Sequence, residues 1–130
     1  MSIHHELLFQ HPARARAIYD AARVKDPAAA SALFPEAEMN AFGYQMMQDG
    51  RGKEAIIVFQ MNVDAYPQSA NTYDSLSDAY LADGNQAEAI KYAEKTLEVL
   101  AKDTRLPGEV KQLVRESAER KIAALKKGKL

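Results

Sequence analysis

Cysteine is absent from this 130-residue chain. That rules out disulfides, thiolate metal sites and a cysteine nucleophile together, and it leaves the redox compartment open. No sign of charge dominates either. Seventeen Lys and Arg stand against 18 Asp and Glu, for a net charge of −1, so total charge gives no pull toward nucleic acid or an anionic membrane. No apolar run approaches the roughly 20 residues that span a bilayer. The opening Met1-Ser2-Ile3-His4-His5-Glu6 lacks the basic stretch and apolar core of a secretory signal, so a cytoplasmic location is expected. What is present is ordinary: 47% hydrophobic and 27% charged residues, enough for one domain over 1–130.

Catalytic constellations are missing as well. The three histidines, His4, His5 and His11, crowd the first dozen residues with no acidic or thiol partner at ligand spacing. They read as a frayed terminus rather than a metal site. No second histidine follows His5-Glu6 at helical spacing, so the zinc-protease pattern fails. There is no G-x-S-x-G elbow, and no serine is followed three residues later by lysine, which removes both serine-hydrolase signatures. Gly50-Arg51-Gly52-Lys53 lacks the strand and spacing of a phosphate-binding loop and reads as an inter-helix turn. Asp74 and Asp78 lie four residues apart on one expected helix, but general acid–base work needs a partner group and a pocket that perturbs them. A solvated face is the expectation. No enzyme activity, cofactor or metal follows from these residues.

An internal repeat organises the middle of the chain. Asp49-Gly50 with Glu54-Ala55-Ile56 recurs as Asp83-Gly84 with Glu88-Ala89-Ile90, an offset of 34 residues. The same offset pairs Phe42 with Leu76, Gly43 with Ser77, Met46 with Tyr80, Met47 with Leu81 and Val63 with Leu97. Each unit reads as two helices. Met39, Phe42, Gly43, Met46 and Met47 recur at helical spacing after Pro35, which can open a helix. Beyond Gly50 and Gly52, Ala55, Ile56, Phe59, Val63 and Tyr66 form a second stripe that Pro67 ends. In the second unit Tyr73, Leu76, Tyr80 and Leu81 precede Gly84, and Ala89, Ile90, Ala93, Leu97 and Leu100 follow it. Small residues at Gly43, Ala55, Ala89 and Ala93 suit helices that must approach within about 8–10 Å.

The 34-residue period, Phe42-Gly43, Ala55, Phe59 and Pro67 over 36–69 resemble the tetratricopeptide repeat. Tyr73, Leu76, Tyr80 and Ala89 carry much of the pattern again over 70–103. That second unit departs from it at Ser77 for glycine, Ala93 for the aromatic and Ala101 for proline, changes that suit a unit next to a capping helix. The stretch from Asn62 to Leu76 is also similar to repeats appended to bacterial beta-lactamase-like serine hydrolases and esterases. The resemblance implies an all-α, right-handed solenoid of antiparallel helix hairpins that binds proteins.

Flanking segments should complete such a stack, because a lone hairpin cannot bury both faces. His11-Pro12 can open a helix with Ala15, Ile18, Tyr19 and Ala22 inward, and Asp26-Pro27 looks like an N-cap and first turn. Residues 12–34 therefore read as a degenerate helix pair. Residues 107–126 read as a cap helix with Val110, Leu113, Val114, Ala118 and Ile122 on its apolar side. Lys111, Arg115, Glu116, Glu119 and Arg120 lie mostly on the other side.

Binding is expected on the first helix of each unit. Asn40, Tyr44 and Met47 mark that face in the first unit, and Asp74, Asp78 and Leu81, with Asn71 nearby, mark it in the second. The result is a polar, acidic groove for a neutral or basic segment. Residues 36–100 hold four basic and eleven acidic side chains, or −7, whereas 101–130 hold nine and four, or +5. Contact between copies is one consequence of that asymmetry, and an intramolecular match that docks the cap is another. The Lys126-Lys127-Gly128-Lys129 tail is too short to imply nucleic acid. The leading expectation is a non-catalytic protein-interaction or scaffold module. The alternative is the accessory C-terminal domain of a serine hydrolase, stabilising or dimerising its enzyme.

Overall fold

The computed structural model describes residues 3–127, with side chains from Glu6 onward. The side chains of His4 and His5, and Gly128 and Lys129 of the basic tail, lie outside the described residues. Among those described, every regular element is a helix: α1 Ile3–Gln10, α2 Pro12–Lys25, α3 Pro27–Leu33, α4 Glu36–Gln48, α5 Gly52–Ala65, α6 Ala70–Ala82, α7 Gln86–Leu100 and α8 Gly108–Lys126. None is long and apolar enough to cross a membrane. The chain divides into two compact units, Met1–Ala65 and Tyr66–Leu130. Their boundary falls within the segment expected as the first repeat.

In the first unit α4 packs on α5, and α2 packs on α1, α3 and α5. Leu8, Ala15, Tyr19, Phe34, Met39, Met46, Val58 and Phe59 are buried there. Tyr19 meets Phe34 edge-on, centroids 6.0 Å apart. Asp26 behaves as its sequence position suggests. Its Oδ1 accepts the Ala29 N–H at 3.2 Å, satisfying one of the donors left open where α3 begins. α4 and α5 come so close that a Cβ on Gly43 would overlap the Phe59 ring, so glycine is required by contact rather than by backbone freedom. Tyr44 packs edge-on against the same ring at 5.1 Å.

The N-terminal stretch differs from its expectation as a frayed end. Leu8 is fully buried and Phe9 packs on Phe42 with centroids 6.2 Å apart. Arg51 donates to the Phe9 carbonyl at 2.7 Å, and its guanidinium sits 5.0 Å from the Phe9 ring centre. The run Leu7-Leu8-Phe9 supplies the apolar surface that holds α1 down.

In the second unit α6 packs on α7, and α8 packs on both. Leu76, Ala79, Ala89, Ala93, Leu100, Val114, Ala118 and Leu125 are buried. Where Gly43 stands in the first hairpin, this one has Ser77, whose buried hydroxyl donates to the Ala89 carbonyl at 2.7 Å. Where Phe59 stands, it has Ala93. The glycine-for-serine and phenylalanine-for-alanine exchanges thus compensate one another. Unit 1 fills its helix contact with a ring over glycine, and unit 2 fills it with a short polar side chain opposite alanine.

The two hairpin turns share one geometry at the 34-residue offset. In the first, Arg51 N–H reaches the Met46 carbonyl at 2.8 Å and Gly50 N–H the Met47 carbonyl at 3.2 Å. In the second, Asn85 N–H reaches Tyr80 at 2.9 Å and Gly84 N–H reaches Leu81 at 3.1 Å. Both are Schellman closures, which satisfy the last carbonyls of the preceding helix. Gly50 and Gly84 carry φ of 78° and 81°, a conformation that costs a side-chain-bearing residue about 1–2 kcal/mol. Nothing crowds the space around either glycine, so the penalty is purely conformational. Gly50→Ala and Gly84→Ala should each lower the unfolding free energy by about 1–2 kcal/mol, by similar amounts, in urea denaturation.

Candidate functional site

The α6 residues Asp74 and Asp78 sit one turn apart and point toward α8, where they share one ammonium group. Lys121 Nζ donates at 2.8 Å to Asp74 Oδ1, at 2.8 Å to Asp78 Oδ1 and at 3.1 Å to the Asp74 carbonyl. Three donors meet three acceptors, which is the full capacity of a lysine. Ser117, one turn before Lys121 on α8, places its Oγ 3.3 Å from both Asp74 carboxylate oxygens. Asp74 and Lys121 are buried, and the Asp78 side chain keeps 31% of its exposure.

This corrects two expectations. The carboxylate pair is not a solvated helix face, because α8 covers it. The covered face of α8 is also narrower than the apolar stripe read from its sequence. Val114, Ala118, Lys121 and Leu125 are buried, whereas Val110 and Leu113 retain 37% and 65% exposure. Leu113 stands about 100° around the helix from Val114, at the edge of the stripe, and Val110 lies in the first turn of α8. Lys121 takes its place on the covered face because a carboxylate leaving water needs a cation. Lys121 and Ser117 were missed in the sequence. Their one signal was that Lys121 falls three and seven residues after Ala118 and Val114, on the apolar stripe itself.

Of the other groove positions, Asn71 and Leu81 on α6 are half-buried, as are Asn40, Tyr44 and Met47 on α4. Tyr44 is engaged by Phe59. Within α6, Asn71, Asp74, Asp78 and Leu81 share one stripe at helical spacing, and α8 anchors at its centre.

Two buried carboxylates titrate in opposite directions. Burial raises the Asp74 carboxyl, and the nearby Asp78 charge adds to the rise; Lys121 and Ser117 pull against it without cancelling it. Burial also opposes ionisation of Asp103, but there it is outweighed. Asp103 accepts from Arg105 N–H at 2.9 Å and from Ala70 N–H, at the start of α6, at 3.3 Å. These donors and the Arg105 charge hold its carboxyl below the usual aspartate range. Stability from Asp103 is therefore present above the unfolded value of about 3.9 and lost as pH falls through its folded value. The Asp74 contribution has the opposite sign. It is complete below about 3.9 and lost as pH rises through the folded value. Asp103→Asn should flatten the acid side of a urea-stability profile taken from about pH 2 to 6. An unchanged slope would show that Asp103 titrates as it does in the unfolded chain.

An open hollow of ≈ 530 Å³ lies along α6 and α7, lined by Tyr73, Lys91, Tyr92, Glu94, Lys95 and Glu98. Its charged side chains all have ion-pair partners: Lys95 pairs with Glu98 at 3.3 Å, Lys91 with Glu88 at 3.9 Å, and Glu94 with Lys126 of α8 at 3.8 Å. Among the described residues no three His, Asp or Glu side chains cluster so as to hold a metal ion. The chain matches no protein-family model and no curated protein.

Proposed function

We propose that the chain is a non-catalytic, tetratricopeptide-like interaction module that holds a peptide or a neighbouring domain on the first helices of its hairpins. The observation that supports this most is the repetition of one hairpin turn, hydrogen bond for hydrogen bond, after 34 residues. Its large and small core partners exchange in a compensating way between the two copies. Repeats of this kind present a series of first-helix faces rather than one enclosed pocket. In the first unit the half-buried Asn40, Tyr44 and Met47 on α4 supply apolar and amide contacts, and in the second unit Asn71 and Leu81 on α6 do the same. Asp74 and Asp78 add a preference for a cation only where Lys121 does not already hold them.

The burial of that pair changes the test. Reversing both aspartates to lysine would set three ammonium groups together under α8 and unseat it, so lost binding would say nothing about a groove. Half-buried Met47 and Leu81 are the cleaner probes. Short peptides of graded net charge, read by fluorescence polarisation, should bind when neutral or basic. Met47→Glu and Leu81→Glu should each weaken that binding about tenfold or more, a loss of about 1.4 kcal/mol, with the helical circular dichroism intact. Failure of every peptide in the panel, or indifference to both substitutions, would remove the reading.

A further inference from the structure

The α6 stripe is already occupied by a segment of this chain. We infer that α8 is an intramolecular ligand of the α6 face, and that the external partner this face fits is a basic amphipathic helix bearing a lysine. The inference rests on the interaction reading above and adds to it the class of partner and the way its access is controlled.

Three observations lead here. The first is the manner in which Lys121 is held: one ammonium group meets two carboxylates and a backbone carbonyl of α6, and Ser117 one turn earlier braces the more buried carboxylate. A hydroxyl followed one turn later by lysine, on a helix lying across α6, therefore describes what the face accepts. The second is how the attachment is divided. The apolar side of α8, with Val114, Ala118 and Leu125 buried and Ile122 half-buried, packs mainly against α7, and the contact with α6 is smaller. A terminal helix that meets α6 mainly through one polar cluster can give up that cluster below the global unfolding threshold. The third is charge. Residues 101–130 carry nine basic and four acidic side chains, net +5, and the α6 stripe offers two carboxylates. Attraction of this kind steers any similarly charged helix to the same place.

While α8 is down, a competing helix must pay for its release, so apparent affinity falls with the fraction of chains that are open. Removing the Lys121 ammonium while keeping its stem should raise that fraction. Fixing α8 in place should lower it.

The absence of cysteine makes both states accessible in the full chain. Lys126 Nζ lies 3.8 Å from Glu94 Oε2 with both side chains exposed, so Glu94→Cys/Lys126→Cys can be bridged by a short bismaleimide to hold α8 closed. The probe is a fluorescein-labelled synthetic peptide of residues 107–127, and a second peptide carries methionine in place of its lysine at 121. Lys121→Met chains should bind the first peptide at least tenfold more tightly than wild type does, and the second peptide should show no such gain. The bridged chain should bind the first at least tenfold more weakly than the same chain unbridged. Hydrogen exchange along α8 reports its release in parallel. Equal affinity in the wild-type, Lys121→Met and bridged chains overturns the inference while leaving an open interaction face intact. So does unaltered α8 protection in Lys121→Met. Released α8 with no binding of either peptide overturns both the inference and the interaction reading beneath it. The bridged arm does not depend on how well Lys121→Met folds.

Discussion

Phe59→Ala should lower the unfolding free energy by about 3–5 kcal/mol, the usual cost of emptying a buried aromatic site, and Gly43→Ser added to it should restore part of that loss. Phe59 is fully buried and its ring occupies the space where a Cβ at position 43 would lie. Alone, Gly43→Ser must push the ring aside in a packed core and should cost about 1–3 kcal/mol. Together the two substitutions recreate the arrangement that the second hairpin already uses, with serine at 77 and alanine at 93. The new hydroxyl would face the Ala55 carbonyl, as Ser77 faces that of Ala89. The double variant should therefore be more stable than the sum of the singles by about 1–2 kcal/mol, within the range of coupling between touching residues. A double-mutant cycle in urea measures this directly. Strict additivity would mean that the two hairpins solve the same contact independently, and the repeat would lose its clearest structural argument.

The second large effect belongs to Lys121. Removing one member of a buried ion pair while the other stays buried costs about 3–5 kcal/mol, and Lys121→Met removes the cation from two carboxylates at once. The cost has a ceiling. If α8 lifts, Asp74 and Asp78 return to water, so the loss cannot exceed the free energy of docking α8. Hydrogen exchange separates the cases, because a global loss lowers protection throughout the slowest amides and a lifted helix lowers it in α8 alone. Asp78→Asn should cost about 1 kcal/mol or less, since Asp78 is partly solvated and water screens its pairing. Replacing the pair together, as Asp74→Leu with Lys121→Met, should recover much of the Lys121→Met loss, because two apolar residues need no solvation. Were that double variant as unstable as Lys121→Met, the remaining Asp78 charge would have to be the dominant burden.

The unequal legibility of these features has a physical basis. The helices from Pro12 onward, the Asp26 cap, the paired glycine turns and the 34-residue offset were readable in the chain, whereas α1 was expected as a frayed end. Each depends on side chains within one turn or one loop of each other: a carboxylate three residues before its N–H donor, or a glycine where φ must be positive. The Gly43–Phe59 contact was half readable. A small residue announces close approach but does not say which ring fills the space. Asp74 and Asp78 were visible as a pair and assigned to water, because nothing nearby in sequence could neutralise them. Lys121 lies 43 and 47 residues away, and only the packing of α8 onto α6 brings it within 2.8 Å.

Local chain chemistry thus determined that this protein is helical and where its hairpins turn, since those choices are made between residues a few positions apart. Tertiary structure decided how much of the apolar stripe of α8 is covered and whether the acidic pair meets water or lysine. Burying Asp74 beside a second carboxylate sets a demand that no local preference could meet, and the cation that answers it, Lys121, is 47 residues away.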